Sequence, residues 1–200
     1  MTSNTSRNST NKSILYIHGF NSSPLSTKSQ LTKQYLIDHQ IDIEFHCPQL
    51  LNSPKAAIEQ LDTIIASQPD KQWYVIGSSL GGYFSTYLSE KYQLKALLIN
   101  PAVKPFELLI DYLGEQKNLY TNDVYQVTEQ HMIDLKALLV EKITKNNYMV
   151  MVQTGDEVLD YQQAVEKYQN CHLIVQPNGD HSFINYETML PAMMKFLDLQ

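Results

Sequence analysis

Two hundred residues carrying 15 Lys and Arg against 21 Asp and Glu, a formal net charge of −6, suffice for one domain with a sizeable core. The acidic balance counts against nucleic acid or an anionic membrane as the main partner, because both need a basic face. Composition is ordinary for a soluble globular chain, no run is apolar enough to span a bilayer, and Cys47 and Cys171 read as free thiols in a reducing, cytoplasmic compartment.

Residues 1–13 are rich in Ser, Thr and Asn, have no apolar stretch resembling a signal peptide, and read as a disordered polar tail. Residues 14–200 then read as a single domain. Ile14–Ile17 is a short, wholly apolar strand of the kind buried on both faces of a parallel sheet. It runs into the loop His18-Gly19-Phe20-Asn21-Ser22-Ser23-Pro24. A helix is expected from about Ser26 to His39, a strand over Ile43–His46 stopped by Pro48, and a helix opened by Pro54 with Ala57, Ile58, Leu61, Ile64 and Ile65 on one face. Trp73–Ile76 reads as the next strand and Tyr83–Tyr87 as part of the helix after it. Leu94–Ile99 is a strand stopped by Asn100-Pro101.

Between about 102 and 146 the rhythm changes. Helical patterns over Phe106–Leu113 and Met132–Ile143, with no clear strand, predict an inserted helical cap. Tyr148–Val152, the helix Tyr161–Tyr168, the strand His172–Val175 and a helix from about Tyr186 to Leu197 complete the chain. Strands alternating with helices imply an α/β three-layer sandwich, with a mostly parallel central sheet of about six strands in the order 2-1-3-4-5-6. Such sheets bind ligands at the carboxyl ends of their strands.

Six of the seven glycines fall at or just after those ends, and so do the residues with useful chemistry. Gly77-Ser78-Ser79-Leu80-Gly81 fits G-x-S-x-G, the turn that lifts a nucleophilic serine between a strand and a helix. The Leu80 N–H, at the helix start, would face the oxyanion formed when Ser79 attacks a carbonyl. A serine needs a base. Of six histidines, His181 lies in a Gly-Asp-His loop after the last strand, where a base facing Ser79 belongs. His18 sits beside the proposed oxyanion loop, and His39, His46, His131 and His172 read as structural or surface groups. No pair has the spacing of a metal site. Asp156, after the penultimate strand, is placed to orient the base, with Glu157, Asp160 and Asp180 as neighbours that could be confused with it. The order Ser79, Asp156, His181 is that of the α/β-hydrolases.

The stretches Tyr16–Pro24, Val75–Tyr83, Asn100–Leu109 and Gln153–Tyr161 carry a further likeness. Through them the chain resembles, from Ile14 onward, the small bacterial YqiA family of α/β-hydrolase esterases. The resemblance implies a serine esterase acting on short acyl esters, with acyl-CoA thioesters as an alternative, and Ser79, Asp156 and His181 as nucleophile, acid and base. By analogy with the wider fold, the Phe20 N–H would join that of Leu80 as the second oxyanion donor. The reaction would proceed through an acyl-enzyme with no metal or organic cofactor. A catalytically silent hydrolase fold used as a receptor or scaffold is the rival from another class. The apolar cap segment Pro105–Leu113 reads either as ordinary core between cap and sheet or, in part, as the wall of an acyl pocket formed by Phe106 and Leu109, opposite Phe20.

Overall fold

A computed structural model describes residues 11–200. Most of the expected disordered tail lies outside the described residues, but its last two positions do not belong to it. β1 spans Lys12–Ile17, with Lys12 and Ser13 paired to Gln72 and Trp73. The backbone partners of the next strand extend the ladder two residues beyond the apolar run that marks it in sequence.

Five further strands join β1 in one sheet: β2 (Glu44–His46), β3 (Gln72–Ser78), β4 (Lys95–Ile99), β7 (Tyr148–Gln153) and β8 (His172–Gln176). Every pairing is parallel, and the order is β2-β1-β3-β4-β7-β8, which matches the expected 2-1-3-4-5-6. The helices are α1 (Thr27–Asp38), α2 (Pro54–Ala66), α3 (Leu80–Tyr92), α6 (Tyr161–Tyr168) and α7 (Leu190–Phe196), with α5 (Glu129–Ala137) and a single-turn α4 (Pro105–Leu108) between β4 and β7.

Alternation along the strands divides the core in two. Leu15, Val75, Leu98 and Val150 face one side with Leu61 of α2 and Leu88 of α3. Ile14, Tyr16, Ile76, Leu97 and Met149 face the other with Leu36 of α1 and Met193 of α7. Both faces of the sheet are covered, so the central strands carry long apolar runs rather than strict alternation, while the edge strands β2 and β8 are only partly buried. Local chemistry sets the helix ends: the Ser53 hydroxyl accepts the Ala56 N–H at 3.2 Å and Pro54 takes the first turn of α2.

The segment over 102–146 differs from the all-helical cap expected. It holds α4, a 3-10 turn over Leu109–Tyr112, an antiparallel hairpin of β5 (Gly114–Lys117) and β6 (Val124–Val127), and α5. The expected helix over Met132–Ile143 lies further upstream, at Glu129–Ala137, and that over Phe106–Leu113 is half 3-10. The hairpin has no apolar alternation. Gly114 enters it at φ 105°, where a side chain would be strained. Long-range side-chain bonds then tie it down. Tyr125 Oη donates to Asn21 Oδ1 at 2.7 Å, and Asn118 Nδ2 donates to the Ser22 carbonyl at 2.9 Å. These bonds fasten the hairpin to the loop after β1.

Candidate active site

Ser79 sits between β3 and α3 with φ 56° and ψ −123°, a backbone region that L-residues avoid. The glycines around it make the turn possible. A Cβ on Gly81 would collide with the Ile17 carbonyl of β1, and one on Gly77 would collide with the Gly81 backbone and the Ser85 hydroxyl. Backbone bonds hold the strained residue: the Ser79 N–H donates to the Ile99 carbonyl at 3.1 Å, and the Ser79 carbonyl accepts the N–H groups of Gly82 at 2.9 Å and Ala102 at 3.1 Å.

His181 reaches the same point from the loop after β8. Its Nε2 lies 3.1 Å from Ser79 Oγ, and its Nδ1 lies 2.9 Å from both carboxylate oxygens of Asp156, which follows β7. An ionised carboxylate only accepts, so the ring proton belongs on Nδ1 and Nε2 is left to accept from the serine hydroxyl. The Asp156 side chain is 2% exposed. Burial pushes its carboxyl pKa up. The His181 bond and the N–H donors of Leu159 and Val158, at 2.8 and 2.9 Å, more than reverse this and hold it below the ordinary carboxylate value.

The acidic neighbours occupy separate positions. Glu157 Oε2 accepts the backbone N–H of His181 at 3.0 Å, Asp160 caps α6 by accepting the Gln162 N–H at 3.0 Å, and Asp180 accepts from the Ser182 hydroxyl. Sequence gave no sign that Glu157 holds the main chain of His181, because the two lie 24 residues apart. Lys28 reaches over from α1 and donates to the Ser182 carbonyl at 2.9 Å. Burial lowers its pKa, against the opposing pull of Asp180 and Asp156. Lys104 instead lies exposed beside Glu107.

Leu80 opens α3, so its N–H has no partner within the helix. Phe20 follows Gly19, whose Cα packs so near Ser79 that a Cβ there would stand 3.2 Å from Ser79 Cβ. His18 anchors this loop. It is 3% exposed, and its Nε2 accepts the Leu50 N–H at 3.2 Å. Burial lowers its pKa, partly opposed by the hydrogen bond to the Gly19 carbonyl.

Above Ser79 lies a cavity of about 190 Å³, walled by Phe20, Leu108, Leu109, Tyr112, Val158 and Leu159, with His181 at one side. Phe20 and Tyr112 meet edge to face at 5.6 Å. Of the three residues expected to wall an acyl pocket, Phe20 and Leu109 line this cavity. Phe106 does not: it is missing from the cavity wall and packs against the core under the cap. Only part of α4 and its 3-10 extension faces the site, through Pro105, Leu108, Leu109 and Tyr112. Phe20, Leu80 and Leu109 also wall a tighter cavity of about 40 Å³ behind them.

No helix among the described residues is long and apolar enough to cross a membrane. The fold is that of the α/β-hydrolases. The structure of mouse alpha/beta hydrolase domain-containing protein 10 superimposes with a TM-score of 0.73 at 13% identity, covering 93% of this chain and 89% of that one. Est1E from Butyrivibrio proteoclasticus, with ferulic acid bound, does so with a TM-score of 0.70 at 16% identity, covering 96% and 92%. In sequence, the UPF0227 protein YcfP of Escherichia coli O9:H4 (strain HS) is 21% identical over 191 residues, which span 93% of this chain and 99% of that protein. Residues 13–198 match the family described as "Uncharacterised protein family (UPF0227)", and the chain belongs to that family, the YcfP and YqiA group.

Proposed function

We propose that this chain is a serine esterase that hydrolyses acyl esters through an acyl-enzyme on Ser79. The observation that carries this reading is the unbroken hydrogen-bond chain from Ser79 Oγ through the His181 ring to Asp156, at 3.1 and 2.9 Å, at the floor of an apolar cavity. In the proposed reaction His181 Nε2 takes the hydroxyl proton as Ser79 Oγ bonds to the ester carbon. The carbonyl electrons move onto oxygen, and the Phe20 and Leu80 N–H groups donate hydrogen bonds to the oxyanion. The intermediate collapses, the ester C–O bond breaks, and the alcohol leaves with the proton from Nε2. A water then gives its proton to the same nitrogen, attacks the acyl-enzyme and releases the carboxylic acid and free Ser79. Asp156 stays ionised throughout and stabilises the imidazolium.

The apolar cavity suits an uncharged acyl group. The likeness in fold to a structure that holds ferulic acid supports a carboxylic acid product of modest size. The test is a set of p-nitrophenyl esters of short acids. Wild type should turn them over, and Ser79→Ala should lose up to about a million-fold, as seen for triad serines. Wild type that leaves every ester untouched would overturn the reading.

A further inference from the structure

One short segment at the end of β4 grips the main chain of both Ser79 and His181. Ile99 and Ala102 hold the Ser79 N–H and carbonyl, as described above. Between them stands Asn100, 2% exposed, with φ 40°, a left-handed conformation that asparagine tolerates better than most residues. Its Nδ2 donates to the carbonyls of Asp180 at 3.0 Å and His181 at 3.3 Å. Its Oδ1 accepts the N–H of Gln153 at 3.0 Å, and its own N–H donates to the Met151 carbonyl at 2.9 Å. A backbone N–H can only donate and a carbonyl can only accept, so one orientation of this amide satisfies all three side-chain partners.

Gln153 takes up what remains of the base loop. Its Oε1 accepts the N–H groups of Asp180 at 3.1 Å and Ile184 at 2.9 Å, and its Nε2 donates to the Ile184 carbonyl at 2.8 Å. Asn100 thus bonds directly to β7, which leads to Asp156, and to the loop that carries His181. Ile99 just before it and Ala102 two residues after it hold Ser79. One short segment thus ties the Ser79 turn, the end of β7 and the His181 loop together, and the buried side chain at its centre touches none of the reacting atoms.

We propose that Asn100 is a positioning residue that sets the distance from the base to the nucleophile by holding the His181 main chain; this rests on the esterase reading. A backbone bond to a buried amide is either made or lost, and a displacement of about 1 Å at a reacting pair can cost a hundredfold in rate. Asn100→Asp has nearly the same shape and still accepts the Gln153 N–H. It turns the donor that faces the two carbonyls into an acceptor, which pushes the base loop away.

The experiment measures p-nitrophenyl acetate hydrolysis by wild type, Asn100→Asp, His181→Ala and the double variant. Asn100→Asp should lower kcat about a hundredfold while KM stays within about twofold. In the His181→Ala background the same change should cost nothing further, because no base remains to be placed. The proposal fails if Asn100→Asp keeps kcat within about threefold of wild type, or if it loses the same factor in both backgrounds, as a residue that only stabilises the fold would. Should circular dichroism show Asn100→Asp unfolded, Asn100→Ser, a shorter uncharged donor, is judged by the same two outcomes. Active wild type and crippled His181→Ala beside an indifferent Asn100 variant would remove this inference alone. Inactive wild type would remove the esterase reading and this inference with it.

Discussion

Ser78 and Ser79 are neighbours in sequence with different surroundings. Ser78 ends β3, pairs with Ile99 and is 6% exposed, whereas Ser79 lines the cavity and lies within reach of His181. Replacing Ser78 with alanine should therefore leave most turnover of a p-nitrophenyl ester, while Ser79→Ala should abolish it. Equal losses in two folded variants would move the nucleophile. His18 offers a different kind of test. Burial holds its pKa below the ordinary value of 6.5, so folding favours the neutral ring. The stability this adds is present above that ordinary value and is lost as pH falls through the lower, folded value. Protonation would also remove the Nε2 lone pair that accepts the Leu50 N–H. Urea midpoints at about pH 8 and about pH 5 should show a fall in wild type that shrinks in His18→Gln, which keeps an acceptor but does not titrate. An identical fall in both proteins would show that His18 contributes nothing to the acid sensitivity.

Single elements show where sequence reading succeeds and where it stops. The central strands of the main sheet were legible because they are buried on both sides and stand out as apolar runs between turn residues. β5 was not: Gly114-Glu115-Gln116-Lys117 carries neither apolar alternation nor strand-forming residues, and it is fixed by bonds such as Tyr125 to Asn21, 104 residues apart. Phe106 was misplaced for a related reason. A four-residue helix that tightens into a 3-10 turn changes its register midway, so a single helical stripe could not describe which residues face the site. The corrected wall makes its own prediction. With a fixed leaving group, kcat/KM should rise nearly fourfold per added acyl methylene, about 0.8 kcal/mol each, until the cavity is full. Leu109→Ala should shift the optimum to longer chains by opening the way to the smaller cavity behind it. Phe106→Ala should lower Tm and leave the optimum where it was. A flat profile in wild type, or a shift caused by Phe106→Ala, would show that the wall is drawn in the wrong place.

At the scale of the whole molecule, the parallel order puts the ends of β3, β7 and β8 along one edge of the sheet, and the three residues named from their order in sequence meet there. That much was legible because each sits in a short loop after a strand, and a parallel sheet brings such loops together. Asn100 was not legible as part of the site. It read as a strand-stopping Asn-Pro, and its bonds run to main-chain atoms 80 and 81 residues away that carry no side-chain signature. The central claim is that this edge activates Ser79 as a nucleophile. The most direct measurement is the rate at which a fluorophosphonate probe labels the intact protein, with the adduct mapped by peptide mass spectrometry. A single adduct on Ser79, absent in Ser79→Ala and formed far more slowly in His181→Ala and Asp156→Asn, is the expected result. No adduct on folded wild type, or labelling at Ser79 as fast without His181 as with it, would contradict the account.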